Sequence, residues 1–173
     1  MRVIAGEFGG RRLEAPVGMT TRPTTDKVRQ AVFNSLQSMG VVEGAVVADL
    51  YAGSGALGIE ALSRGAERAV FVERDRSALA ALRSNLAALG LDDRCSVHPT
   101  DVMAWVPAMR GIDIVFIDPP YAFDGGEALL ALVQAGLVVA ESDDPIPDTA
   151  GYVQVRSRRY GRTWVTLLEP AGA

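Results

Sequence analysis

The run Asp49-Leu50-Tyr51-Ala52-Gly53-Ser54-Gly55-Ala56-Leu57-Gly58 decides the fold. A short apolar stretch, residues 46–50, precedes it and reads as a buried strand. Residues 56–64 follow as a helix that Gly65 closes. The glycines Gly53, Gly55 and Gly58 are spaced as in nucleotide-binding turns, where small residues let backbone approach a ligand at a strand's carboxyl end.

Strands and helices alternate outward from this turn. Residues 69–72 read as a second strand. A helix capped by Ser77 carries Leu79, Leu82, Leu86 and Leu89 on one stripe, and Gly90 ends it. Residues 95–97 form a weak third strand, and residues 102–109 a short helical piece broken by Pro107. Residues 112–117 are a strong fourth strand, residues 127–134 a helix and residues 137–140 a fifth strand. This alternation predicts an α/β fold, a parallel sheet with right-handed crossovers and helices on both faces. Residues 152–159 and 163–168, around Tyr160-Gly161-Arg162, predict an antiparallel hairpin that extends one sheet edge.

Upstream, residues 1–5 and 11–15 flank Glu7-Phe8-Gly9-Gly10 and read as a hairpin. Thr24 or Thr25 then caps a helix to Met39, with Val28, Ala31, Val32, Leu36 and Met39 facing the core and Gly40 ending it. Residues 1–23 are expected as an N-terminal extension and 24–173 as the main domain.

Composition narrows the function. The chain has 173 residues, 49% of them apolar, which suits one folded domain with its own core. No apolar run approaches the ~18 residues of a membrane span. The first residues lack the pattern of a signal peptide, and Cys95 is the single cysteine, so a cytoplasmic protein is expected. The net charge of −4 is uneven. Residues 1–29 hold six basic and three acidic side chains, and residues 151–173 four arginines and one Glu. Basic ends on an acidic middle suggest a local docking face for phosphate, to which the arginine fork is suited.

Acids around the glycine turn select the ligand. Asp49 would repel the pyrophosphate of a nicotinamide dinucleotide, whereas S-adenosylmethionine carries an ammonium and a sulfonium that favour a nearby carboxylate. Asp49 could instead bond only the loop backbone. Glu73 ends the second strand, where an acid accepts from both ribose hydroxyls. Asp101 could take the adenine amino group or cap the helix after it. Asp75 could touch the ligand or cap its own helix.

A second site follows the fourth strand: Asp118-Pro119-Pro120-Tyr121. Two prolines give a stiff turn without backbone donors. The Asp118 carboxylate and the Pro119 carbonyl are then acceptors that can converge on an amine with two N–H groups, and Tyr121 offers a face on which a base stacks. Fixing both N–H bonds aims the nitrogen lone pair at a methyl donor, and Asp118 can hold the developing positive charge. His98, Cys95, Trp105 and Trp164 read as loop or packing residues, and no Cys/His cluster has metal spacing.

Together these runs resemble the class I S-adenosylmethionine-dependent amino methyltransferases of nucleic acids. The opening, Arg2-Val3-Ile4-Ala5-Gly6 with Gly9-Gly10-Arg11-Arg12-Leu13, and the run from Arg22-Pro23-Thr24-Thr25-Asp26 to Asn34 are similar to the bacterial family that methylates N2 of guanine 966 in 16S rRNA. The resemblance covers residues 2 to about 121 and, more loosely, the segment Ala140-Glu141-Ser142 and the final hairpin. It implies a Rossmann-like sheet of seven strands with an antiparallel last strand. It also implies a cofactor set that includes Tyr51, Arg74 and Thr24 beside the glycines and acids above, and an N-terminal hairpin that helps hold rRNA. Arg2, Arg11 and Arg12 would meet phosphates. Arg22 and Thr24 would line the site near the methionine end or the entering nucleotide. The implied partner is 16S rRNA within an assembling 30S particle, bound by a monomer without metal or membrane. The stretch between Tyr121 and the fifth strand is several residues shorter than in the family. A DNA N6-adenine methyltransferase shares the tetrapeptide and is the alternative. A nicotinamide oxidoreductase rests on the glycine spacing alone, and a non-enzymatic RNA-binding module leaves both acid-flanked turns unexplained.

Overall fold

A computed structural model describes residues 1–16, 26–120, 125–149 and 151–172. Seven strands form one sheet: β1 (Val46–Leu50), β2 (Arg68–Val72), β3 (Cys95–His98), β4 (Ile112–Ile117), β5 (Ala135–Ser142), β6 (Tyr152–Tyr160) and β7 (Thr163–Pro170). Their order is β3-β2-β1-β4-β5-β7-β6. The first five run parallel, and β7 pairs antiparallel with both β5 and β6. The expected Rossmann-like sheet with its antiparallel last strand is what is found.

Among the described residues five helices cover the sheet: α1 (Asp26–Met39), α2 (Ala56–Ser63), α3 (Arg76–Leu89), α4 (Val102–Trp105) and α5 (Gly126–Leu132). They lie on both faces, so the central strands read as mostly apolar runs, interrupted by Asp49 in β1 and Asp113 in β4. Val47, Ile114 and Phe116 point into one core cluster with Phe33 of α1, Ile59 of α2 and Leu82 of α3. Ala48, Leu50, Val115 and Ile117 point into the other, with Val102, Met109 and Leu129. The Phe33 and Phe116 rings lie 5.4 Å apart and tilted, a favourable aromatic arrangement.

Several boundaries differ from expectation for local reasons. Asp75, not Ser77, caps α3: its side chain accepts from Ala78 N at 2.9 Å. Pro107 does not break residues 102–109 outright; after α4 the chain tightens into a 3-10 turn over Val106–Ala108. β5 starts at Ala135, two residues before the apolar run, because β4 supplies a partner ladder from Ile112. On α1 the expected stripe shifts: Met39 is 39% exposed, while Arg29 and Phe33 are fully buried. The proposed caps Thr24 and Thr25 lie outside the described residues.

The N-terminal extension has less strand than expected. One antiparallel bridge, Arg2 with Arg12, joins its limbs, backed by Val3 N to Arg11 O and Gly10 N to Val3 O, each 2.9 Å. Its backbone also bonds to α2. Glu60 accepts from Ile4 N at 2.7 Å and Ala5 N at 3.2 Å, and Ser63 Oγ accepts from Phe8 N at 3.0 Å. Gly6 has φ +81°, and a Cβ there would lie 1.8 Å from Ser63 O, so only glycine fits. Val3 and Leu13 are buried in the first core cluster, which ties the extension to the main fold.

Candidate active site

The sheet reverses its winding between β1 and β4: β2 and β3 continue to one side, β5 to the other. Such a switch point opens a crevice at the carboxyl ends of the strands. Leu50 and Ile117 are register partners there. The turns that leave them, one through Gly53 and one through Asp118-Pro119-Pro120, border one cavity of about 1430 Å³.

The glycine turn is held by its own backbone. Tyr51 takes φ 62°, a rare value for a residue with a side chain. Ala52 N donates to Val72 O at 3.1 Å and Gly55 N to Ala52 O at 2.7 Å. The three glycines do different things. Gly53 borders the cavity and donates its N–H to Glu73 Oε2 at 2.9 Å. Gly55 has φ +81°, and a Cβ there would lie 2.4 Å from Leu82 Cδ1. At Gly58 a Cβ would lie 2.4 Å from the Phe71 ring. Both are buried, so these two glycines let α2 pack on β2 and α3, and Gly53 alone of the three forms cavity wall.

Asp49 lies beneath this turn, 2% exposed. Its Oδ2 accepts from Gly58 N at 2.9 Å, the bond expected of a loop-fixing acid, and the residue also borders the cavity. Burial drives its carboxyl up to about 8. The Gly58 N–H pulls it back, and the charges of Asp118 and Glu73 push it further up. Asp49 and Asp118 are thus close enough to feel each other.

Glu73 accepts three backbone N–H groups: Gly53 on Oε2, and Arg74 and Asp75 on Oε1 at 2.7 and 2.8 Å. This fixes both oxygens at the lip of the cavity. Arg74 Nη1 pairs with Asp101 Oδ2 at 2.9 Å, although both side chains are largely exposed. Asp101 Oδ1 meanwhile accepts from Met103 N at 2.9 Å, capping α4. The Tyr51 phenol is pushed up to about 12, mainly by burial and then by Asp101.

Of the expected site residues, Asp49, Tyr51, Gly53, Glu73, Arg74, Asp101, Asp118 and Pro119 border the cavity. Tyr121, Thr24 and Arg22 lie outside the described residues. Arg2, Arg11 and Arg12 are exposed on the extension, and Arg11 Nη2 donates to Ala88 O at the end of α3, 3.2 Å away. Cys95 is pushed up to about 12 by burial, no nucleophile at neutral pH. His98 packs on Trp105, ring centroids 5.2 Å apart.

The sequence reading passed over further cavity walls. Ala15 and Pro16 of the extension, Lys27 of α1, the last residues of β5 with residues 143–149 after it, and the turn Tyr160-Gly161 all border it. Asn85 is equally unforeseen. Its amide, 2% exposed, donates to Glu14 O (3.1 Å) and Ser54 O (3.0 Å) and accepts from Glu14 N (2.8 Å). It joins the extension to the glycine turn; its place among the leucines of α3 was the signal. Among the described residues no cluster of His, Cys, Asp or Glu is placed to hold a metal ion, and no helix is long and apolar enough to cross a membrane.

A family model described as Conserved hypothetical protein 95 matches residues 1–169. The chain belongs to this family. It is 40% identical over 186 residues to "Putative rRNA methyltransferase YlbH" of Bacillus subtilis, covering 99% of this chain and all of that one. It is 42% identical over 123 residues to "Ribosomal RNA small subunit methyltransferase D" of Escherichia coli strain K12, covering 70% of this chain and 60% of the relative. The solved structure "Putative methyltransferase yhhF from Escherichia coli" superposes with a TM-score of 0.86 at 34% identity, over 100% of this chain and 99% of that one. The Conserved hypothetical protein 95 family is therefore the one whose resemblance the opening and the two turns carry.

Proposed function

We propose that the chain transfers a methyl group from S-adenosylmethionine to the exocyclic N2 amine of a guanine in 16S rRNA, guanine 966 by family resemblance, during small-subunit assembly. The observation that carries this reading is the meeting of the glycine turn and the Asp118-Pro119-Pro120 turn on neighbouring strand ends around one cavity. The relatives' names, rRNA methyltransferases, give the substrate class.

Charge favours this cofactor. The described cavity wall carries ten carboxylates against two cationic side chains, Lys27 and Arg74. Such a wall attracts an ammonium and a sulfonium and repels a pyrophosphate. Glu73, with both oxygens fixed at the lip, is placed for ribose hydroxyls, Asp101 for the adenine end and Asp49 beneath the cationic end. Tyr51, Arg74 and Thr24 complete the set, while Gly55 and Gly58 shape the turn.

When bound, S-adenosylmethionine supplies an electrophilic methyl carbon. The Asp118 carboxylate and the Pro119 carbonyl would accept the two N–H bonds of the guanine amine and orient its lone pair for transfer. As the N–C bond formed and the methyl–sulfur bond broke, its electron pair leaving with the neutral thioether, Asp118 would stabilise the positive charge on nitrogen, and the surplus proton would leave to Asp118 or to water. Tyr121 is assigned to stack the base. The acidic wall also keeps RNA phosphates at the rim, so only an extruded base enters. The extension, residues 1–23, holds rRNA through Arg2, Arg11, Arg12 and Arg22, with the protein acting as a cytoplasmic monomer on the assembling 30S particle.

Calorimetric titration with S-adenosylmethionine and a labelled-methyl assay on 16S rRNA, assembling 30S particles and duplex DNA test this reading. Binding is expected, with label in rRNA or particles. Asp118→Asn should cut transfer by more than roughly 100-fold while leaving cofactor affinity within twofold. Label in duplex DNA alone would contradict the reading.

A further inference from the structure

Between Asp148 and Glu169 the chain carries four arginines, Arg156, Arg158, Arg159 and Arg162, and no acid, although its net charge is −4. All four are exposed on the β6–β7 hairpin. Among the described residues, none forms an ion pair with a carboxylate.

Register fixes which way they point. A β-bulge between Gln154 and Arg156 inserts Val155, so Gln154 opposes Leu168 but Arg156 opposes Leu167. Without that extra residue Arg156 would fall on the other face. With it, Arg156 and Arg158 share the face of Leu167 and Val165. Those two belong to the core cluster that contains Phe33 of α1 and Val3 and Leu13 of the extension. Arg156 Nη1 donates to Ser35 Oγ of α1 at 2.7 Å, which confirms the side. Arg162 sits in the hairpin turn between Gly161 and Thr163, both at the cavity rim.

We propose that this hairpin is a second phosphate-binding surface, in which Arg158 and Arg162 grip the RNA backbone across the cavity from the extension. The proposal rests on the rRNA reading above and gives its substrate a footprint. Arginines on the extension and on the hairpin hold a folded RNA at two places, while the acidic cavity that both border admits only a base. Lys27 of α1 also borders the cavity.

The test measures binding of a 16S rRNA transcript across a salt series for the full chain, an Arg158→Ala/Arg162→Ala variant and an Arg158→Lys/Arg162→Lys variant. The alanine pair should weaken binding roughly tenfold near 0.1 M salt and flatten the log Kd–log salt slope by about 1.5. Its S-adenosylmethionine affinity should stay unchanged, which reports an intact fold. The lysine pair, which keeps the charge, should restore the slope. An unchanged slope in the alanine pair, or no rescue by lysine, would overturn the hairpin surface alone. Failure of the unaltered chain to bind rRNA while it still binds S-adenosylmethionine would overturn the rRNA reading with it.

Discussion

Asp49 shows how one residue links stability to ligand. Its carboxyl is pushed up to about 8 from an ordinary 3.8, chiefly by burial. Between those values the folded chain keeps a proton that the unfolded chain has released. The folded state therefore binds more protons, and stability falls as pH rises through that window. The contribution is whole below about pH 4 and lost above about pH 8. Asp49→Asn keeps an acceptor for Gly58 N and removes the charge. Denaturant unfolding at pH 6 and pH 8.5 should show the wild type losing stability relative to this variant as pH rises. Parallel behaviour of the two would show that Asp49 does not titrate there. A cation in the cavity favours the ionised carboxylate, so the same burial that costs stability at high pH prepares the site for a positive ligand.

At the scale of elements, α2 is a clamp as much as a crossover. Glu60, fully buried, accepts from the extension at Ile4 and Ala5 and from Arg64 Nε at 2.6 Å, and faces Arg29 Nε at 3.8 Å. Burial lowers the Arg29 guanidinium, and Glu60 opposes the shift. Arg29 also donates to Arg2 O on the extension. Removing one member of a buried charge group leaves the rest uncompensated, so Glu60→Gln should cost about 3–5 kcal/mol in denaturant unfolding. It should also expose the extension to limited proteolysis. A cost below about 1 kcal/mol with an intact extension would mean that Val3 and Leu13 alone dock it. This clamp was invisible in the sequence. Arg29 and Glu60 look like polar positions on helix faces, and only three-dimensional packing brings them together. Gly55 and Gly58 mislead in the opposite way: their spacing announces a ligand turn, yet packing against Leu82 and Phe71 demands them. The strands were legible because β1 and β4 are covered on both faces and are apolar apart from Asp49 and Asp113. The hairpin expected at residues 1–15 was less so, since a single bridge joins its limbs and bonds to α2 alternate with those across them.

For the whole molecule, sheet order turns scattered motifs into one site. Residues 49–58 and 118–121 are far apart in the chain, and the pattern of alternating strands and helices predicted that both turns leave carboxyl ends. That β1 and β4 are neighbours follows from the winding reversal, which local patterns do not encode. Charge is likewise divided at this scale, with an acidic cavity between basic ends. The central claim, that this cavity methylates a guanine amine of 16S rRNA, is tested most directly by mass mapping of rRNA from cells lacking the chain, complemented with the natural sequence or with Asp118→Asn. The account predicts one N2-methylguanine lost on deletion, restored by the natural chain and not by the variant. Identical 16S rRNA modification in all three would contradict it.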